Sequence, residues 1–115
     1  MVKKNFEIPV FEESAPMGGK GQLKLTKPSA AVNAPEKVRT FALAELAPGS
    51  AVGYHEHHGE SETYYILSGS GVYNDNGNLV PVAQGDVTYT PSGEGHGLEN
   101  TGAEIMKFIA LIVLD

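Results

Sequence analysis

Turn-forming residues recur along this chain at intervals too short for helices, and that punctuation constrains the fold more than any other feature. Pro48-Gly49 ends an apolar run over residues 38–46, Gly59 breaks the next stretch, and Asn76-Gly77 divides Tyr73-Asn-Asp from Asn-Leu-Val80. Gly85-Asp86 and Pro91-Ser-Gly93-Glu-Gly95 bracket Val87-Thr-Tyr-Thr90. Runs this short between Gly, Pro, Asn and Asp clusters predict strands, and Asn-Gly predicts the primed hairpin turn that matches strand twist. The longest apolar stretch, Phe108 to Leu114, is too short to span a bilayer and reads as a buried closing strand. With no helix signal, internal repeat or low-complexity tract, the expectation is an all-β sandwich or barrel.

The 115 residues, 41% of them hydrophobic, suit one globular domain with a modest core. Residues 1–35 carry Pro9, Pro16, Pro28 and Pro35, which predicts extended pieces and turns ahead of a barrel over 36–115. This segment is expected to pack on its own barrel or on a partner's. Gly18-Gly19-Lys20-Gly21 has the composition of an anion-binding nest but lacks the Lys-Ser/Thr of a nucleotide loop, so a simple turn is the reading.

Cysteine is absent, which removes disulfides, thiolate metal sites and cysteine nucleophiles together. Seven of the eight basic residues lie in residues 1–39, leaving Lys107 alone against ten acids in the remainder. So acidic a body argues against nucleic acid, because neutralising phosphates needs clustered Lys and Arg. Glu56, Glu60, Glu94 and Glu99 would repel a polyanionic substrate unless the N-terminal segment covers them, and at least two of them read as solvated turn residues. The start, Met1-Val-Lys-Lys-Asn-Phe, lacks the apolar run of a signal peptide, so a cytoplasmic location is expected and no membrane partner.

Three histidines and a glutamate, His55, His57, Glu62 and His96, form the chain's set of metal-ligand candidates. His55 and His57 are two apart, so on a strand both imidazoles face one space, and the turn at Gly59 lets the next strand return Glu62 to that pair. His/His/carboxylate groupings with open positions suit divalent transition metals. His58, adjacent to His57, should face outward. For proton transfer beside such a site the candidates are Tyr64, which shares parity with Glu62, and Tyr89, on the run leading to His96. For both phenols a core or dimer-interface role is the first reading, because tyrosines pack well with only the hydroxyl needing a partner. Arg39, the only arginine, could meet a substrate carboxylate or one of the ten acids. Asp86 and Asn100 read as turn-fixing residues.

Both turn-rich segments resemble the two signature motifs of the cupins, small jelly-roll β-barrels. Gly49, His55, His57, Glu62 and Gly69 match G-x5-H-x-H-x4-E-x6-G, and Gly85, Pro91, Gly93, His96 and Asn100 match G-x5-P-x-G-x2-H-x3-N. No motif position is substituted, and a joint match at spaced positions is far more specific than a lone glycine motif. The resemblance implies one divalent ion per chain, manganese, iron, nickel, cobalt, copper or zinc, held by His55, His57, Glu62 and His96. It also implies a homodimer, which the apolar C-terminal strand supports. Four protein ligands would leave about two octahedral positions for a small oxygenated molecule of sugar or carboxylate type. A metalloenzyme with isomerase, lyase, decarboxylase or dioxygenase chemistry fits this arrangement. The alternative is a metal-dependent binding or sensing module without turnover.

Overall fold

The computed structural model describes residues 1–115 as two antiparallel sheets facing each other in a jelly roll. The strands are β1 (Val10–Ser14), β2 (Gln22–Thr26), β3 (Val38–Leu46), β4 (Ala51–Glu56) and β5 (Glu60–Ser68). They continue as β6 (Ser70–Asp75), β7 (Asn78–Ala83), β8 (Val87–Thr90), β9 (Gly95–Glu99) and β10 (Met106–Leu114). One sheet has the order β1-β2-β3-β10-β5-β8 and the other β4-β9-β6-β7. The expected strand at residues 38–46 and the Val-Thr-Tyr-Thr strand are both present with those bounds. Helix is confined to three single 3₁₀ turns, Asn5–Glu7, Pro16–Gly18 and Pro28–Ala30. The proline-punctuated N-terminal stretch is more regular than its composition suggests. Its β1 and β2 form a hairpin, and β2 pairs with β3 through Leu23 opposite Leu46 and Thr26 opposite Leu43.

Alternation along the strands builds the core. On β3 the inward set Ala42, Ala44 and Leu46 is buried while the residues between them are not, and on β10 Met106, Phe108 and Ala110 do the same. Twelve buried residues, among them Leu46, Ile66, Leu98, Met106 and Phe108, form one apolar cluster between the sheets. Each large side chain fully buried there contributes about 1.5–3 kcal/mol. Asn76 and Gly77 both have positive φ, 50° and 102°, as the primed hairpin between β6 and β7 requires. Pro81 is tolerated because β7 is an edge strand.

The edge strand β4 carries the feature that positions the site. Its register against β9 slips between Val52, opposite Leu98, and His55, opposite His96, so β4 has one extra residue there. This β-bulge turns both Val52 and His55 inward, which strict alternation would forbid. A strap at Pro16–Gly18 crosses the bulge. Lys20 N–H donates to the Ala51 carbonyl at 3.0 Å, and the N–H groups of Gly18 and Gly19 donate to Ala15 and Pro16. The glycine run is therefore a turn in which three of the four N–H groups are already used. A Cβ on Gly19 would overlap the Ala51 carbonyl, and one on Gly53 would overlap that of Met17. Gly53→Ala is accordingly expected to cost about 1–3 kcal/mol, lowering Tm by on the order of 5–10 °C. An unchanged thermal melt would show that the strap does not sit on the bulge.

Candidate metal centre

The two sheets bring the four candidates together from opposite walls. His55, on β4, is the cross-strand partner of His96 on β9, and Glu62 comes from β5 of the facing sheet, with His57 just past the end of β4. His57, Glu62 and His96 are buried and His55 is half-buried. The three imidazole centroids lie 4.7 to 5.0 Å apart. One ligand atom from each of the four residues lies within 4.8 Å of every other.

Each imidazole is tied down on its outer nitrogen. His55 Nδ1 lies 2.7 Å from the Gly53 carbonyl, His57 Nδ1 2.7 Å from Glu60, and His96 Nδ1 2.8 Å from the Tyr73 hydroxyl. A carbonyl and a carboxylate only accept, so neutral His55 and His57 must donate from Nδ1, which leaves a bare lone pair on each Nε2. His96 takes the same tautomer if it donates to Tyr73 and Tyr73 donates to Thr90, 2.7 Å away. Three lone pairs and a carboxylate then converge where no protein donor compensates them. Adjacent octahedral ligands at about 2.1 Å from one ion stand about 3.0 Å apart. His57 Nε2 is 3.0 Å from His96 Nε2 and 3.0 Å from Glu62, and His96 Nε2 is 2.9 Å from Glu62. The donor set, its tautomers and its spacing fit a single divalent metal ion, which the site could hold.

Around the cluster, the other candidates separate. Tyr64 faces the interior, stacks on His96 with centroids 5.0 Å apart and packs on Phe108. Burial and the nearby Glu62 charge push its phenol well above 10, so it stays protonated. Tyr89 points outward between the buried Thr88 and Thr90 and is 57% exposed. Arg39 forms an ion pair with Glu60. His58 lies at the surface beside Glu56, 3.0 Å away. Asn100 donates to the carbonyls of Leu46 and Glu104, and Asp86 accepts from Ala83 N–H, so both brace turns.

Glu60 is not one of the solvated turn residues among the four glutamates, because it is buried between His57 and Arg39. Burial alone would raise its carboxyl, but the hydrogen bonds and charge of those two partners hold it below 4.5. Its parity with Glu62 and Tyr64 on β5 was the available signal. Tyr73, which anchors His96 across 23 positions, had no local signal at all.

Beyond the cluster opens a cavity of about 260 Å³ whose lining includes His55, His57, Glu62 and Tyr64. Glu13, Lys27 and Arg39 also border it. Glu13 and Arg39 are exposed and Lys27 half-buried, which places the charged groups at the rim.

A two-sheet jelly roll with this cluster between its walls is a cupin. Residues 42–113 match the family described as cupin domain, and the chain belongs to that family. It is 46% identical over 114 residues to a Thermotoga maritima protein named oxalate-binding protein, covering 99% of this chain and 94% of the relative. A crystal structure from the same organism, described as a predicted oxalate decarboxylase, superposes with a TM-score of 0.89 at 45% identity, covering 100% of both chains. A cupin 2 conserved barrel domain protein from Salinispora arenicola gives 0.66 at 30% identity, over 81% of this chain and 76% of its own. No helix is long and apolar enough to cross a membrane.

Burial, reinforced by the neighbouring His96 and His57, holds the His55 imidazole below 6.5, although the Gly53 carbonyl and Glu62 pull the other way. The metal-free folded state thus resists a proton that the unfolded chain accepts. Its stability is complete above about pH 6.5 and declines as pH falls through the lower folded value. Thermal melts of chelator-treated protein should fall between about pH 7 and pH 5, and His55→Gln should flatten that fall. Equal slopes in the two proteins would count against this account.

Proposed function

We propose that this chain binds one divalent transition-metal ion through Nε2 of His55, His57 and His96 and the carboxylate of Glu62, and uses it to capture a small carboxylate of the oxalate kind. The observation that carries this reading is the convergence of lone pairs whose outer nitrogens are already held by Gly53, Glu60 and Tyr73. Bound there, the ion would offer its remaining coordination positions to adjacent oxygens of a small acid. The name of the Thermotoga maritima relative supports oxalate as a representative ligand.

Capture without turnover is favoured over catalysis by the side chains at the cavity. Decarboxylation of oxalate leaves a carbon that must be protonated, so a group has to give and regain a proton beside it. Tyr64 is a buried phenol stacked on His96, Arg39 is engaged by Glu60, Tyr89 faces solvent, and Glu13, the carboxyl at the cavity outside the cluster, is exposed at its rim. We extend the proposal to assembly as a homodimer. The edge strand β1 is exposed throughout and presents Val10 and Phe11 beside Glu12 and Glu13, an unpaired edge that a second copy would cover.

Purified without chelator, the protein should carry one metal per chain, and His96→Ala should carry far less. Chelation should lower Tm by on the order of 10 °C at a hundredfold excess over Kd. Because Glu60 orients His57, Glu60→Ala should weaken metal affinity about 10- to 100-fold. Full occupancy in a His55→Ala, His96→Ala double variant would sink the assignment. Oxalate should perturb the visible spectrum of the cobalt(II)-substituted protein saturably. Incubation with oxalate should release no formate, and sustained release would replace capture by decarboxylation. Light scattering should give twice the 12.2 kDa of the chain, and a monomer at micromolar concentration would remove the dimer.

A further inference from the structure

The cavity beside the cluster is larger and more apolar than oxalate requires. Its room comes from three small residues on adjacent strands. Ala42 on β3 is the cross-strand partner of Ala110 on β10, and Ala44 is the partner of Phe108, all facing the interior. Elsewhere the inward positions of these strands hold Leu46, Met106 and Phe108. Ala42 and Ala44 are sealed in the cavity floor, Ala110 keeps some accessible surface, and the wall is completed by Leu23 and Val52 with the half-buried Leu25 and Ile112. Ten of the eighteen lining residues are hydrophobic.

An apolar cavity of about 150 Å³ accommodates benzene, and oxalate has about as many heavy atoms. The present space of about 260 Å³ includes the room between His55, His57 and Glu62 as well as the apolar part, and is larger than that. Away from the cluster, Thr40 and the Tyr64 hydroxyl are the neutral polar side chains at the wall, too few for the hydroxyls of a sugar. The charges of Glu13, Lys27 and Arg39 lie at the rim and leave the interior apolar.

We propose that the ligand of this site is a chelating acid with an apolar substituent, a 2-oxo or 2-hydroxy acid bearing a short branched or aromatic side chain. The inference rests on the metal-dependent reading above. The acid's two oxygens occupy the metal end beside His55, His57 and Glu62. Its substituent lies against Ala110, Val52, Leu25 and Ile112, above the floor that Ala42 and Ala44 keep low. Oxalate satisfies the first contact and leaves the second unmade.

The test is a series of titrations of the cobalt(II)-substituted full chain, followed by its visible spectrum, with oxalate, pyruvate, 2-oxobutanoate, 2-oxopentanoate and 4-methyl-2-oxopentanoate. Each methylene added beyond pyruvate should tighten binding about fourfold, with 4-methyl-2-oxopentanoate the tightest of the oxo acids. In Ala42→Leu, and independently in Ala110→Val, the ratio of 2-oxopentanoate to pyruvate affinity should fall to about one, because the added carbons take the substituent's place. A saturable oxalate response with affinity flat across the oxo acids of the parent protein would overturn the inference and leave metal-dependent capture standing. A spectrum that neither oxalate nor any oxo acid perturbs would instead remove the capture reading, and this inference with it.

Discussion

Three hydrogen bonds on the outer faces of three imidazoles determine what this molecule can do. A neutral imidazole has one donor and one acceptor, so committing the Nδ1 donor to Gly53 or Glu60 points the acceptor the other way, and His96 follows when it donates to Tyr73. The three partners come from different places: the backbone of the β4 bulge, the start of β5, and the middle of β6. Each strand must therefore be correctly placed for the cluster to exist. Glu60 is itself held by Arg39 on β3, so the chain's only arginine acts at one remove from the site. A carboxylate behind a ligating histidine raises the basicity of the imidazole and keeps its ring from rotating.

Grouping three imidazoles and two carboxylates in the interior carries a desolvation cost that these hydrogen bonds offset only in part. The fold bears the remainder by separating its interior into two regions. Leu46, Ile66, Leu98, Met106 and Phe108 fill one part of the space between the sheets, while His57, Glu60, Glu62 and His96 occupy another. Tyr64 joins the two, stacking on His96 and packing on Phe108. It belongs to the apolar region in its ring and borders the polar one.

The bulge on β4 and the strap above it connect backbone geometry to cavity shape. One extra residue turns both Val52 and His55 inward, so an apolar wall position and a polar ligand position follow each other on the same face. The strap then lays Met17 beside the cavity, and close approach is possible because Gly19 and Gly53 have no Cβ at the crossing. Cavity volume comes from the facing sheet, where Ala42, Ala44 and Ala110 stand among larger side chains. β4 and β5 carry both kinds of position, Val52 with His55 and Tyr64 with Glu62, whereas β3 and β10 contribute only to the wall.

What the sequence determined by itself was local in physical origin. The turns at Asn76-Gly77, Gly85-Asp86 and Pro91–Gly93 set where strands begin and end, because backbone conformations at Gly, Pro and Asn depend on few neighbours. The strands at Val38–Leu46 and Val87–Thr90 and the grouping of His55, His57, Glu62 and His96 followed from that spacing and from the cupin motifs. The pairing of His55 with His96, the meeting of Glu62 with both across two sheets, and the anchoring of His96 by Tyr73 depend on register between distant strands. So does the role of Arg39, whose partner among ten acids was settled only when β3 and β5 came together around β10. The outward turn of Tyr89 and the burial of Glu60 are consequences of which face each sheet presents to the other. Local steric preference is written residue by residue along the chain, whereas register, facing and cavity volume arise only when the sheets close on one another.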